Sequence, residues 1–255
     1  MLPTTTTKPF LVLQLRTGNT VSDDEFNAFV RYGTLQAHEV KRVRMEAGNL
    51  PTVTLDDYSG VLVGGGPWNV SDPTNKKPEE QRQAEAWLIP LMKDIIARDF
   101  PYLGMCYGLG ILAHALGSTV SKARYGEAVG GVALTRTRDA QDDPLLTDVS
   151  TSFKAFCGHK EAVQVLPAQS TLLVSGSVCP VQMIRVGTNV YATQFHTELD
   201  ADSLALRIRA YKDLGYFEPH EADGLIEMGY HETVHEPMHI LRRFVEVYRT
   251  PHITP

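Results

Sequence analysis

Residues 101–108 read Pro-Tyr-Leu-Gly-Met-Cys-Tyr-Gly, and an apolar segment, residues 111–116, follows them. The pattern is typical of a short buried strand, a Gly-x-Cys-x-Gly turn and then a helix. A strand that turns so sharply into a helix needs glycine on both sides of the central residue, because neighbouring Cβ atoms would collide in the bend. The stretch therefore predicts a nucleophile elbow that presents Cys106, as in an α/β fold.

Cys106 is the candidate nucleophile. It is expected at a helix N-terminus, where unpaired N–H groups and the helix dipole favour a thiolate, so we expect its pKa to fall to about 3.5–7.5 from about 8.5. The alternative is a buried structural cysteine flanked by packing glycines. Cys157 and Cys179 have apolar or β-type neighbours and are expected to be inert thiols.

A candidate base occurs in residues 190–198, Val-Tyr-Ala-Thr-Gln-Phe-His-Thr-Glu. The segment up to His196 is predicted to be a strand, and side chains two apart on an extended chain point the same way. His196 and Glu198 are therefore expected to share a face. A cysteine nucleophile needs a base, and a carboxylate fixes the tautomer of that base. A histidine that merely ends a strand is the alternative.

Four segments follow one another in an order known from one family. They are residues 63–67, the Cys106 elbow, residues 158–163 and residues 194–198. In this the chain resembles the class I (triad) glutamine amidotransferases, most closely the glutaminase half of GMP synthase and its stand-alone relatives. The resemblance implies a triad of Cys106, His196 and Glu198 that attacks the amide of glutamine, or of another γ-glutamyl compound, through a thioester. It also implies an oxyanion hole formed by the backbone N–H groups of Gly66 and Tyr107.

The glycine run at residues 64–66 follows an apolar segment that is predicted to be a strand. Only glycine lets the backbone approach a substrate so closely, and one good backbone donor to an oxyanion is worth roughly 3–4 kcal/mol. A phosphate-binding loop is the alternative. It is disfavoured because no Gly-Lys-Ser/Thr follows and Gly-x-Gly-x-x-Gly is absent.

The resemblance also indicates substrate-binding residues, namely Gly65, Gly110, His159, Lys160 and Glu161. Family members usually carry a glutamine at the position of Gly110, where it helps to hold the α-amino and carboxylate end of the substrate. We therefore expect free glutamine to bind less firmly than larger γ-glutamyl compounds. His159 and Glu161 could instead be structural, or form a second catalytic pair.

Strands and helices alternate along the sequence, which predicts a doubly wound α/β fold with a mainly parallel sheet, helices on both faces and flavodoxin-like layering. Ser22 and Glu25 are predicted to form a capping box, and Pro90 to kink or break a long helix. Strands are predicted at residues 10–15, 60–63, 129–134, 152–156, 172–175, 181–186 and 190–196, and helices near 22–33, 78–98, 201–213, 221–228 and 237–248.

Composition fits an ordinary enzyme of one domain. The chain has 255 residues, of which 43% are hydrophobic, so we expect a single domain, 1–255, with a core at about 10–213 and a C-terminal helical extension at about 214–255. A net charge of −6 without a run of Lys or Arg indicates no nucleic-acid or membrane partner. Three cysteines and no apolar leader in residues 1–9 favour the cytoplasm. No cofactor or metal is expected.

Residues 231–235, His-Glu-Thr-Val-His, match the pattern of zinc proteases. That chemistry requires both histidines on one helical face. Gly229 is predicted to end one helix and Pro237 to begin the next, so His231 and His235 are expected to lie in a connection. Metalloprotease activity is therefore disfavoured.

The leading functional expectation is hydrolysis of glutamine or a γ-glutamyl compound. No synthetase segment follows the triad in this sequence, so ammonia would need a separate synthetase subunit to use it. The alternatives are thus an independent γ-glutamyl hydrolase, the glutaminase subunit of a two-protein enzyme, and a catalytically weak ligand-binding or regulatory protein.

Overall fold

Strands and helices alternate over most of the chain, as its sequence predicts. The computed structural model describes residues 5–253, so residues 1–4 of the predicted leaderless N-terminus lie outside the described range. The strands are β1 Thr5–Thr7, β2 Phe10–Gln14, β3 Val40–Arg44, β4 Gly60–Val63, β5 Tyr102–Met105, β6 Val120–Ser121, β7 Glu127–Arg136, β8 Ser152–His159, β9 Ala162–Val163, β10 Ser170–Gly176, β11 Met183–Val186, β12 Val190–Thr193 and β13 Pro251–Ile253. The α-helices are α1 Asn19–Tyr32, α2 Glu79–Ala97, α3 Tyr107–Ala115, α4 Ala201–Tyr211, α5 Ala222–His231 and α6 Glu236–Tyr248. None of these described helices has the length and apolar content that a membrane crossing requires.

One nine-stranded sheet organises the chain, in the order β3-β2-β4-β5-β12-β11-β10-β7-β8. The strands from β3 to β12 pair in parallel. The pairs from β12 through β8 are antiparallel. The predicted α/β class is confirmed, with antiparallel additions in the second half of the chain. The carboxyl ends of β4, β5 and β12 meet at one edge, where open sheets of this type place their ligand sites.

Helices cover both faces of the sheet, as the doubly wound prediction requires. The side chains of β2 alternate between the two faces, since successive residues of a strand point in opposite directions. Leu11 and Leu13 belong to the core that includes residues of α2 and α3. Phe10 and Val12 belong to the core that includes residues of α1 and α6. A strand buried on both sides reads as a continuous apolar run, which is why β2 was easy to predict.

The capping box predicted at Ser22 and Glu25 is wrong. Helix α1 begins earlier, at Asn19, so Ser22 and Glu25 lie inside it, and both are fully buried. The hydroxyl of Ser22 accepts a hydrogen bond from Arg42 at 2.9 Å. The carboxylate of Glu25 instead accepts from Arg16 at 2.7 Å. Glu25 is therefore part of a buried ion pair and caps nothing.

Pro90 was predicted to kink or break its helix, and the break is wrong, because α2 runs unbroken from Glu79 to Ala97. A proline has no N–H, so the carbonyl of Ala86 loses its helical donor. Pro90 and Ala86 both lie on the exposed side of the helix. Water can supply the missing donor there, so the helix continues.

The predicted strand at 190–196 is shorter than expected, because β12 ends at Thr193. His196 and Glu198 therefore lie in the connection between β12 and α4. The predictions for the antiparallel strands overlap β7, β8, β10 and β11. The sequence pattern missed β3, whose residues Val-Lys-Arg-Val-Arg are mostly charged, because this strand lies at the edge of the sheet.

The zinc-protease pattern was predicted to lie wholly in a connection, and this is only partly right: His231 ends α5, and residues 232–235 connect it to α6. Helix α5 continues past Gly229 to His231, so the predicted helix end at Gly229 is wrong. Helix α6 begins at Glu236. Glu232, between the two histidines, forms an ion pair with Lys154 at 2.5 Å. The histidines do not share a helical face, and the carboxylate that zinc-protease chemistry needs as its base is already paired.

Helix α6 packs into the main core of the sheet, although the sequence prediction placed it in an extension. Ile240, Leu241, Phe244 and Val245 are fully buried. The ring centroid of Phe244 lies 6.1 Å from that of Phe10 in β2. This helix therefore covers the same strands that lead to the carboxyl edge of the sheet.

We predict that Phe244→Ala lowers the free energy of unfolding by about 3–5 kcal/mol, because it leaves a cavity in this core. Val247→Ala, on the exposed side of the same helix, is the matched control and should change that free energy by less than about 0.5 kcal/mol. Urea unfolding followed by circular dichroism measures both. Small and equal effects would contradict the packing of α6 described above.

Candidate active site

Cys106 lies in an unusual backbone conformation between β5 and α3. Its φ is 53° and its ψ is −94°, a combination that residues with a side chain rarely adopt. Its N–H donates to the carbonyl of Thr193 at 2.7 Å, and its carbonyl accepts from the N–H of Gly110 at 3.1 Å. A strained residue held by its surroundings is typical of functional sites. The backbone thus has the shape predicted for a nucleophile elbow.

The glycines on either side of Cys106 are required by close packing. A Cβ on Gly104 would lie 2.3 Å from the hydroxyl oxygen of Tyr102. A Cβ on Gly108 would lie 3.1 Å from the carbonyl oxygen of Val63. The Tyr102 hydroxyl also donates to the Gly108 carbonyl at 2.9 Å, which ties the strand to the helix. This is the steric reason for glycine that the sequence pattern predicts.

His196 and Glu198 form a buried pair. Nδ1 of His196 lies 2.7 Å from Oε1 of Glu198. Because a carboxylate only accepts, we assign the proton to Nδ1, which leaves Nε2 as an acceptor. His196 is 6% exposed and Glu198 fully buried. His196 lines the same cavity as Cys106, so the predicted nucleophile and base meet at one place.

A buried group of four charges lies behind His196; we call Arg16, Glu25, Glu198 and Arg207 the buried charge group. Arg16 donates to Glu25 at 2.7 Å. Arg207 Nη2 donates to Glu198 at 3.1 Å and lies 3.7 Å from Glu25. Burial favours the neutral acid, but the charge of Arg207 and the hydrogen bond from His196 hold the pKa of Glu198 well below its usual range. Two positive and two negative side chains leave the group with no net charge, which is how buried ions are tolerated.

The glycine run 64–66 makes room for these side chains. A Cβ on Gly64 would lie 2.6 Å from the carboxylate of Glu25, and one on Gly65 would lie 2.6 Å from Cε1 of His196. Gly65 is buried and is not among the residues that line the two cavities at Cys106. Gly66 lines both of them. Gly66 therefore borders the space next to Cys106, and Gly65 leaves room for the imidazole.

The resting site contains a thiol and a neutral imidazole. Burial raises the pKa of Cys106 to about 11; the charge of Arg16 opposes this, and the carboxylates of Glu161 and Glu198 add to it. The predicted drop in the thiol pKa is therefore wrong, because desolvation outweighs the helix N-terminus. Burial also lowers the pKa of His196, against the raising effect of Glu198. A nucleophilic attack by this thiol would therefore require a base to take its proton.

Two cavities meet at Cys106. The first, the apolar cavity, is lined by His196, Arg16, Arg207 and the apolar residues Val129, Leu199, Leu204, Ile208, Tyr211, Tyr216 and Phe217. The second, the polar cavity, is lined by Asn69, Tyr107, Gly110, His159, Lys160, Glu161 and Gln194, with several apolar neighbours. Four of the five predicted substrate-binding residues thus lie together in the polar cavity.

His159 and Glu161 have no free polar atom for a second catalytic pair. The two oxygens of Glu161 accept from the N–H groups of Val70 and Ser71, each at 2.8 Å. Nδ1 of His159 lies 2.8 Å from the carbonyl oxygen of Glu161, and Nε2 lies 2.9 Å from Glu127. These side chains therefore hold the wall of the polar cavity and the loop that follows Gly66.

Gly110 lies where a side chain would press on this wall. A Cβ there would be 3.3 Å from Val70 Cγ2 and 3.4 Å from Glu161 Oε1. The first distance is slightly tighter than ordinary contact and the second is at its limit, so a side chain at this position would press on Val70 and adjoin Glu161. Lys160 is fixed at the same wall, since its Nζ donates to the carbonyl of Leu214 at 2.7 Å and lies 4.3 Å from the ring centroid of Tyr216.

Glu127, Cys157 and His159 have the donor types of a metal site, and within residues 5–253 their ligand atoms lie within 4.8 Å of one another. The carboxylate of Glu127 already accepts from His159 at 2.9 Å and from Gln182 at 2.6 Å. These bonds satisfy the cluster as a hydrogen-bond hub, and a metal would have to displace them. Burial raises the pKa of Cys157 well above its usual range and that of Cys179 to about 12, as expected of inert thiols.

Sequence reasoning missed Arg16, Glu25 and Arg207. Arg16 comes directly after the predicted strand 10–15, at the carboxyl end where site residues gather, so its position was a usable signal. Arg207 is a charge between Leu204 and Ile208 on the buried face of α4, which is a second signal. The partners of these charges could not be read from spacing.

The fold and the site agree with one family. The family model described as "Glutamine amidotransferase class-I" matches residues 23–205, more than half of the chain. The chain therefore belongs to the class-I glutamine amidotransferase family. The resemblance stated from the four sequence segments is confirmed.

Similar proteins include enzymes of two descriptions. A glutamine-hydrolysing GMP synthase of Lactobacillus delbrueckii subsp. bulgaricus is 28% identical over 176 residues, which are 69% of this chain but only 28% of that protein. The gamma-glutamyl peptidase 3 of Arabidopsis thaliana is 25% identical over 188 residues, 70% of each chain. The crystal structure of a glutamine amidotransferase from Thermotoga maritima superposes with a TM-score of 0.73 at 19% identity, over 94% of this chain and 98% of the other. That superposition confirms the fold.

We predict that iodoacetamide alkylates Cys106 slowly at pH 7 and faster as the pH rises toward 11, because a raised pKa keeps the thiol protonated until then. A diazo-ketone analogue of glutamine should label Cys106 at neutral pH, since binding places it beside the base. Peptide mapping by mass spectrometry measures both, with Cys106→Ser as the control. A rate of alkylation that is already maximal at pH 7 would show a resting thiolate and contradict this account.

Proposed function

We propose that this protein hydrolyses γ-glutamyl amides through a thioester on Cys106. One observation carries the proposal: the strained Cys106 opens onto the same cavity as His196, whose Nδ1 is held by Glu198 at 2.7 Å. Nucleophile, base and orienting carboxylate are the groups that acyl transfer requires. Membership in the class-I glutamine amidotransferase family supports the same chemistry.

In the proposed mechanism the sulfur of Cys106 attacks the γ-carbonyl carbon while Nε2 of His196 takes the thiol proton. The carbonyl oxygen becomes negative and accepts from the N–H groups of Gly66 and Tyr107. The C–N bond then breaks, and the departing nitrogen takes the proton from His196. Water, deprotonated by His196, attacks the thioester, and glutamate leaves as the sulfur regains its proton. Glu198 stabilises the imidazolium that forms during both formation and hydrolysis of the thioester.

The polar cavity is the proposed binding site for the glutamyl group. Lys160 supplies a positive charge there, and Gly110, His159 and Glu161 complete the wall. Because the oxygens of Glu161 are already bonded to Val70 and Ser71, this residue would shape the cavity more than bind the substrate.

The second candidate is a glutaminase that supplies ammonia to a synthetase on another chain. The similarity to glutamine-hydrolysing GMP synthase, of whose length this chain spans 28%, favours it. The similarity to gamma-glutamyl peptidase 3, which covers 70% of each chain, favours independent action on larger amides. Gly110 also favours the latter, because the glutamine side chain usual at this position is absent. A ligand-binding protein without catalysis is disfavoured by the paired base.

We predict that Cys106→Ala and His196→Ala each lower kcat by at least about a thousandfold, and that the double variant is no worse than either, since the two groups act as a unit. Glu198→Gln should retain measurable turnover. Glutamate release from glutamine and from γ-glutamyl dipeptides, without any added protein, measures these rates. Full activity of His196→Ala would show that His196 is not the base. Glutamine turnover that appears only with a partner chain would favour the subunit alternative.

The pH profile of kcat/KM should place its acid limb below pH 6.5. The base must be neutral, and burial lowers the pKa of His196, so activity is kept as the pH falls until that lowered pKa is reached. Glu198→Gln should move this limb to still lower pH, because the carboxylate raises the pKa of the imidazole. Initial rates between about pH 4 and 9 test this. A limb above pH 6.5, or no shift in the variant, would contradict the assignment.

A further inference from the structure

The apolar cavity has no role yet in the proposed hydrolysis. It shares Cys106 with the polar cavity, and His196 is among its lining residues but not among those of the polar cavity. Leu204 and Ile208 of α4 form part of its wall and are almost fully buried, and Phe217 stands half-exposed on the segment after α4. The apolar cavity therefore lies beside the proposed base.

The chemistry of amide cleavage indicates what enters it. The nitrogen that leaves must take its proton from Nε2 of His196, so the leaving amine departs on the side of the imidazole. The apolar cavity is the one that contains His196. If the proposed hydrolysis is right, on which this inference rests, the amine therefore lies in the apolar cavity.

The charges of the apolar cavity restrict that amine further. Arg16 and Arg207 line it, and none of its described lining residues is Asp or Glu. Nη2 of Arg16 and Nε of Arg207 are buried and have no hydrogen-bond partner within residues 5–253. Arg16 is 4% exposed, so these donors cannot be satisfied by open solvent. A buried guanidinium group with free N–H groups favours a carboxylate as its partner.

Tyr216 separates the two cavities and adds an aromatic surface. It lines both of them. Its ring stacks on that of Tyr211, with centroids 6.5 Å apart and an angle of 29° between the planes. Tyr211 in turn carries Arg16 at 5.9 Å from its ring centroid. A ligand that bears both a large apolar side chain and a carboxylate would meet a matching surface for each part.

We propose that the leaving amine is an α-amino acid with a large apolar side chain, so that the substrate is a γ-glutamyl dipeptide whose second residue is aromatic or branched. Its side chain occupies the apolar cavity, and its carboxylate accepts from Arg16. A cationic side chain is disfavoured there, because Leu204, Ile208 and Phe217 form an apolar wall that offers it no partner. Glutamine releases ammonia, which leaves the apolar cavity empty. This cavity therefore contributes no binding energy to glutamine hydrolysis.

Four substrates separate the parts of this proposal. γ-Glutamyl-phenylalanine carries ring and carboxylate, γ-glutamyl-phenethylamide only the ring, γ-glutamyl-glycine only the carboxylate, and γ-glutamyl-lysine (linked through its α-amino group) a carboxylate with a cationic side chain. We expect kcat/KM for γ-glutamyl-phenylalanine to exceed that of each of the other three by about tenfold or more, the effect of losing one hydrogen bond to a charged group or one large buried side chain. Glutamate release measures all four.

Two variants test which residues of the apolar cavity cause this substrate preference. Arg16→Lys keeps the charge beside Glu25 but removes the planar second donor, and it should reduce the preference for γ-glutamyl-phenylalanine over γ-glutamyl-phenethylamide by about tenfold. If that variant does not fold, Phe217→Ala tests the wall instead, and it should lower kcat/KM for γ-glutamyl-phenylalanine more than for glutamine. Leu214→Ala, an exposed position on the same segment, is the matched control and should not alter this ratio.

The outcomes distinguish this inference from the function on which it rests. If the four dipeptides and amides react equally, or γ-glutamyl-lysine reacts fastest, the assignment of the apolar cavity is overturned while hydrolysis by Cys106 stands. If none of them and no glutamine is hydrolysed by the wild-type protein, the proposed function fails and this inference fails with it.

Discussion

The buried charge group is the constraint on which the site depends. Arg16 follows β2, Glu25 lies in α1, Glu198 follows β12 and Arg207 lies in α4, so four separate parts of the chain must meet to cancel two positive and two negative charges. Removing any one of them would leave an unpaired ion in the interior, which is far more costly than the loss of a surface pair. The orientation of His196 is therefore secured by the fold as a whole.

The glycine run 64–66 and the elbow around Cys106 make this arrangement sterically possible. Gly64 admits the carboxylate of Glu25 and Gly65 admits the imidazole, each at a distance that excludes a Cβ. Without these close approaches the base could not lie against the loop that would supply the oxyanion donor. The glycine run and the buried charge group are therefore both needed to pack the imidazole against this loop.

The sequence predicts the elements that depend on interactions between nearby residues. The prediction is wrong where contacts between separate parts of the chain decide the outcome. The elbow, the α/β class and the positions of most of the longer strands follow from glycine sterics and apolar runs within short segments. The capping box at Ser22 and Glu25 was wrong because Glu25 pairs with Arg16, which follows β2, and not with the backbone of its own helix. The predicted pKa of Cys106 was wrong for the same reason, since burial by the folded chain outweighs the effect of the local helix terminus. Neither effect can be read from residue spacing along the sequence.

We infer that the buried charge group holds His196 as a neutral base with its proton on Nδ1. The nitrogen-15 chemical shifts of the His196 imidazole, followed by NMR from about pH 5 to 9, test this most directly. The account predicts a neutral ring at pH 7, protonated on Nδ1 and unprotonated on Nε2, that becomes charged only below pH 6.5. An imidazolium at pH 7 that becomes neutral when Cys106 is replaced by Ala would reveal a thiolate–imidazolium pair and contradict it.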